Sequence, residues 1–207
     1  MGKITGSVFP IFALLGFILI AGCASVQPIN PYEKYFDDNA SSFVKIGIGS
    51  YQEAVSALDI NAKIELTMLS QAYVDSHKGE HFIAGKAYCG NKKLGFGSYA
   101  VVATNSTDGN PTTLNSIGEI RRYFSPVNDF GKAAAYALLE LDNADYNSIY
   151  ALNLGNDYLV KLREEPSACD CGAVNTKELD YAVSENGSVS LVKTRILSTT
   201  YHDTCIN

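Results

Sequence analysis

From residue 43 onward the apolar positions fall into short runs separated by polar turns, with two longer stretches at helical spacing. Residues 43–50 (FVKIGIGS) are a short apolar run broken by Gly47 and Gly49, which predicts a strand leading into a tight turn. Ser50 and Glu53 form a capping-box pair, and Val55, Leu58, Ala62, Leu66, Leu69 and Tyr73 follow at spacings of three and four. On a helical wheel these six span about 80°, with Asp59, Lys63, Thr67 and Ser70 off the stripe. Ile64, Leu66 and Met68 also alternate as a strand would. The helical pattern is the longer of the two, so a helix over 50–77 is expected, closed by Gly79.

Two strand-like runs, 81–89 and 94–104, flank the turn Gly90-Asn91-Lys92 and predict a hairpin. Leu114, Ile117, Ile120 and Phe124 recur at helical spacing within 113–124, although Gly118 interrupts them. Ser125-Pro126 reads as the start of a second helix that carries Val127, Phe130, Ala134, Leu138 and Leu141 on one face. Residues 146–154 and 158–163 predict two more strands. The runs 178–183 and 189–197 flank Glu185-Asn186-Gly187-Ser188, and Asn-Gly between apolar alternations is a strong hairpin signal. The sum is an α+β domain, with helices packed on one face of a mainly antiparallel sheet.

The first forty residues follow a different pattern. Lys3 precedes an apolar stretch from Val8 to Ile20, and two small residues then lead to Cys23. This is the three-part layout of a secretory signal. A membrane-spanning helix needs about 20 predominantly apolar residues, and this run is shorter and carries Pro10 and Gly16. Ile20-Ala21-Gly22-Cys23 resembles the lipobox of bacterial lipoproteins. That resemblance implies removal of residues 1–22 and a covalent lipid such as palmitate on Cys23. Several acyl chains on one residue hold a protein at a bilayer far more firmly than one. By the sorting rule of the lipoproteins it resembles, Ala24 rather than Asp after the cysteine implies the outer membrane of a two-membrane cell, with the domain facing the periplasm. Residues 24–42 (ASVQPINPYEKYFDDNASS) lack apolar periodicity and read as a flexible tether, which at roughly 3.3 Å per residue reaches about 60 Å. The expected layout is therefore a signal peptide at 1–22, a lipidated cysteine with its tether at 23–42, and one globular domain at 43–207.

Composition narrows this further. The chain has 16 basic and 22 acidic residues; without Lys3 the balance is 15 against 22, a net charge of −7. No basic patch for nucleic acid is evident. About 165 residues beyond the tether suit a single domain. Four cysteines remain besides Cys23: Cys89, Cys169, Cys171 and Cys205. In an exported protein an even count favours disulfides, and a bridge between Cys169 and Cys171 would close a badly strained ring. The other two pairings join each of them to Cys89 or Cys205 and would staple the fold, at about 2–4 kcal/mol per bridge. The alternative is a soft-metal or redox site at Cys169-Asp170-Cys171.

Other constellations point elsewhere. His77-Lys78-Gly79-Glu80-His81 matches H-x-x-E-H, a zinc-peptidase motif that needs both histidines on one helical face, so a zinc-dependent hydrolase through His77, Glu80 and His81 is a further alternative. Gly79 in its middle argues instead for a solvated loop. His202 and Asp203 have no Gly-x-Ser-x-Gly elbow to serve. Arg121, Arg122, Tyr123 and Phe124 could form a small recognition patch or a solvated helix face. Lys45 to Tyr51 recurs almost verbatim as Lys93 to Tyr99, but the flanks differ and neither copy completes a phosphate-binding glycine loop.

Residues 44–77 also resemble a segment of small outer-membrane lipoproteins of the twenty-kilodalton antigen and flagellar-assembly type. The matching residues are Gly47, Gly49, Ser50, Ala54, Leu58, Ala62, Leu66, Val74 and Ser76, while Asn61 stands where that pattern often has a basic residue. The resemblance implies an envelope scaffold without catalytic residues. The expected function is accordingly a lipid-anchored envelope protein that uses no cofactor and binds another envelope component through a sheet edge or a tyrosine-rich surface.

Overall fold

The computed structural model describes residues 30–38, 42–85, 97–105, 107–141, 145–166 and 172–202. Every pairing between its named strands is antiparallel, and the strands form two sheets rather than the single one expected. The larger sheet has the order β1-β6-β7-β8-β9, made of Val44–Ile46, Asp145–Asn153, Asp157–Glu165, Gly172–Ser184 and Val189–His202. The smaller sheet sets β4 (Gly97–Asn105) between β2 (Ala62–Met68) on one side and β3 (Ile83–Gly85) and β5 (Pro111–Leu114) on the other. Ile83–Gly85 pairs antiparallel with the start of β4, while the predicted turn Gly90-Asn91-Lys92 lies outside the described residues; the two strands around residues 146–163 and the last hairpin are present, the latter longer than its apolar alternation indicated.

The long helix expected over 50–77 is not formed. Ser50 does cap a helix, its hydroxyl accepting from the Glu53 N–H at 3.1 Å, but that helix, α2 (Tyr51–Ser56), ends within two turns. The chain then turns at Asp59, whose carboxylate accepts from the Asn61 N–H at 2.8 Å, and enters β2. A third short helix, α3 (Gln71–Ser76), starts at Ser70. The strand wins because β4 offers seven partners in register, placing Ile64 opposite Ala103 and Leu66 opposite Val101. Ile64 is buried while Lys63, Glu65 and Thr67 face water, the period-two pattern of a half-covered strand. Tertiary pairing overrides the local helical signal.

At the centre lies α5 (Phe130–Leu139), buried from Ala133 through Leu139. Its alanines allow close approach, and it packs on β6, β7, β8 and β1 and against α2, which in turn packs on β2. Ile149, Ala151, Val160, Leu162, Leu179, Tyr181 and Val183 of the larger sheet share this core with Ile64, Val101 and Ala103 of the smaller one. Ile117, Ile120 and Phe124 of α4 (Ile117–Phe124) join them.

The start of α5 also differs from expectation. Ser125 is extended, its bond to Pro126 is cis, and the helix opens at Asp129, whose carboxylate accepts from the Lys132 N–H at 2.7 Å. An N-cap carboxylate satisfies an otherwise unpaired amide and favours the helix dipole. Asp129→Ala is expected to lower unfolding free energy by about 1 kcal/mol, read as a lower urea midpoint at unchanged slope. A midpoint that stays put would contradict the capping role.

The outer face of the larger sheet is covered too. The expected tether contains α1 (Glu33–Asp38), whose Phe36 is 1% exposed and packs on Leu159 and Ala182. Residues 30–38 are therefore docked on the domain, and helices are not confined to one face. Phe36, with Tyr32 and Tyr35 packed beside it, and a few charged partners hold them, which is why no apolar period announces them. Cys23, Cys89, Cys169, Cys171, Cys205 and Asp203 lie outside the described residues.

Candidate functional site

Sheet register brings a set of charges together beneath α1. On the outward face Lys161 lies opposite Asp180, which lies opposite Lys193, while Arg163 and Glu178 pair on one side of β8 and Glu178 and Arg195 on the other. Asp180 is completely buried at the centre. Its Oδ2 accepts from Arg195 Nη2 at 3.0 Å, and Glu178 accepts a close hydrogen bond from the same guanidinium nitrogen. Among the described residues Asp180 Oδ1 and Arg195 Nε are buried without a hydrogen-bond partner. Burial pushes the Asp180 carboxyl up to about 6, opposed by the positive charges of Arg195 and Lys161 and reinforced by Glu178.

The segment above completes the cluster. Lys193 Nζ lies 3.0 Å from Asp37 Oδ2 and 3.3 Å from Glu33 Oε1, and Arg195 Nη1 lies 2.9 Å from Asp37 Oδ1. The hydrogen bond from Lys193 is the main reason the Asp37 carboxyl is held below its ordinary range. Lys161 Nζ donates to the Phe36 carbonyl at 3.5 Å and sits 5.1 Å from the Phe43 ring centre. Tyr32 donates its hydroxyl proton to Asp157 Oδ2 at 2.7 Å, which raises the Tyr32 hydroxyl.

Two further surfaces adjoin this cluster. An open cleft of about 570 Å³ is lined by Ser125, Asn156, Asp157, Glu185 and Asn186 among others. Its segments are tied together by the Glu185 N–H to the Asn156 carbonyl at 3.0 Å and the Val127 N–H to the Glu185 carbonyl at 2.7 Å. The second surface is the edge strand β9. Its pairing with β8 skips Val192 and Leu197, the signature of bulges. Leu191, Ile196, Leu197 and Tyr201 stand exposed along it, Ile196 at 63% and Tyr201 at 69%.

The histidines of the H-x-x-E-H match are not brought onto one helical face. α3 ends at Ser76, and His77 caps it with its ring stacked on Tyr73 at 4.0 Å. Gly79 has φ of +103°, and His81 lies beyond it, with Nδ1 3.6 Å from Glu140 and its carbonyl accepting from the Ile117 N–H. Glu80 is exposed. Among the described residues no group of three His, Cys, Asp or Glu side chains could hold a metal ion. The Arg121 to Phe124 patch is divided as well: Arg121 pairs with Glu140, Phe124 is in the core, and only Arg122 and Tyr123 face water.

Sequence reasoning missed Asp180. Alternation in β8 places it on the face opposite to Leu179 and Tyr181 and so in water, and the docking of α1 lies over that face. The signal available was the acidic and aromatic character of 32–38 set against Lys193 and Arg195, distant in sequence. The resemblance of 44–77 to small outer-membrane lipoproteins rested largely on a long helix, and that helix is replaced here by α2, β2 and α3. No protein family matches the chain, and neither a curated protein nor a solved structure does.

Proposed function

We propose that the chain is an envelope lipoprotein, lipidated on Cys23 and held at the outer membrane facing the periplasm, whose domain is a non-catalytic binding or scaffolding module. The binding surface is the edge of β9. The observation that carries this reading is the character of that strand: it has 14 residues, lies at the end of its sheet, and exposes Leu191, Ile196, Leu197 and Tyr201. Long edge strands with exposed apolar side chains are natural templates for another chain. The lipobox at residues 20–23 supports the anchored half.

Disulfides among Cys89, Cys169, Cys171 and Cys205 belong to the same reading. Either pairing that joins Cys169 and Cys171 to Cys89 and Cys205 is compatible with it.

Two measurements test the proposal. Metabolic labelling with palmitate is expected to mark the wild-type precursor, while Cys23→Ser is unmarked and recovered in the soluble fraction. A photo-crosslinking side chain at Ile196 is expected to give a discrete adduct in native membranes. The same side chain at Ile60, 90% exposed beside the other sheet, is expected to give none. Unlabelled wild type would remove the anchored half; equal adducts at both positions, or none at either, would remove the binding half.

A further inference from the structure

The contacts of α1 with the outer sheet face are those of a ligand with its receptor. Phe36 fills an apolar floor of Leu159 and Ala182, while Glu33 and Asp37 meet Lys193 and Arg195 at the rim. Lys161 closes the far side against the Phe36 carbonyl. Among the described residues no backbone–backbone hydrogen bond joins 30–38 to the sheet; the ties run through side chains. Exposed ion pairs of this kind contribute little individually and are screened by salt. Six residues are also far too few to hold a helix without a surface to fold on.

We propose that the outer face of β7, β8 and β9 is a recognition groove for an acidic, aromatic peptide segment of a partner, and that α1 is its resident, displaceable occupant. The occupant the groove fits has the form acid-x-x-aromatic-acid, read directly from Glu33, Phe36 and Asp37. Charge complementarity selects it. With α1 lifted away, Lys193 loses Glu33 and Asp37 and Arg195 loses Asp37, so the rim on β9 is left with positive charge that those acids had matched. The resident also leaves Asp180 Oδ1 and Arg195 Nε unpaired in the buried floor. A competing segment bearing a hydroxyl or carboxamide group can supply the hydrogen bond that α1 does not make. The surface differs from the β9 edge, so the inference stands independently of that reading.

The test uses the chain from Cys23 onward and a fluorescent synthetic peptide with the sequence of residues 30–38 as the probe. Glu33→Gln with Asp37→Asn loosens the resident segment while keeping Phe36. Anisotropy titration is expected to show at least about tenfold tighter binding of the probe to this variant than to wild type. Binding should weaken with salt, be lost on adding Lys193→Glu to the variant, and be absent for a probe with lysine at the positions of Glu33 and Asp37. A folded variant that ignores the probe, or that takes the charge-reversed one equally well, would overturn the proposal. Should the variant fail to fold, amide hydrogen exchange at 33–38 in the wild-type chain decides: excess probe must accelerate it, and unchanged rates would overturn the proposal.

Discussion

Replacing Gly187 by alanine is expected to cost about 2–4 kcal/mol of stability, combining a strained left-handed backbone with a clash in a close-packed interior. Gly187 sits in the β8–β9 turn with φ of +82°, and a Cβ there would lie 2.6 Å from Tyr136 Cε1. Tyr136 cannot readily yield, since it is buried in α5 with its hydroxyl 3.3 Å from the Arg121 carbonyl and 3.4 Å from that of Ile120. Gly155 is the internal comparison. Its φ is +96°, but nothing lies within 4 Å of its missing Cβ, so Gly155→Ala should cost only the backbone strain, at the low end of about 1–3 kcal/mol. Urea unfolding of both variants separates the two contributions. Equal losses would mean that Tyr136 gives way and the turn is not clamped against the helix.

The second large effect is on pH dependence. Asp180 binds its proton more tightly in the folded chain, at about 6, than at the ordinary carboxylate value of 3.8. A raised carboxylate favours folding most where it is protonated, so its contribution is fully present below that ordinary value and is lost as pH rises through about 6. The loss is of order 3 kcal/mol between about pH 4 and pH 7, from roughly two units at 1.36 kcal/mol each. Lys161 on β7, Glu178 on β8 and Lys193 and Arg195 on β9 surround the group, with Asp37 and Glu33 above on α1. Asp37 acts in the opposite sense, its contribution being lost only under stronger acid, which leaves the intermediate window to Asp180. Unfolding free energies measured across that window should fall with rising pH in wild type and change much less in Asp180→Asn. Parallel slopes in the two proteins would show that the buried carboxyl does not govern this range.

What the sequence disclosed follows how locally each element is decided. The β8–β9 hairpin was legible because Asn186-Gly187 sets a tight turn from its own backbone preferences, and the strands at 146–154 and 158–163 because their apolar runs are short and bounded by polar turns. Residues 62–68 were misread because Leu66 fits both a period of 3.6 and a period of two, and the arbiter was β4, more than thirty residues downstream. The helix at 33–38 was invisible for a related reason. Its one buried aromatic meets Leu159 and Ala182, and its acids meet Lys193 and Arg195, all far along the chain. The charged cluster was hidden with it, since Asp180 is an ordinary outward residue of an alternating strand until another segment lies over it.

On the proposed lipid anchor, the docking of residues 30–38 also sets the length of the leash. With that stretch fastened to the sheet, only residues 24–29 would lie between Cys23 and the body of the protein, a span of about 20 Å at full extension. The domain would then ride against the lipid headgroups. Unfastened, it could swing through roughly three times that radius, so exchanging the occupant of one groove would alter how far from the bilayer the protein can search.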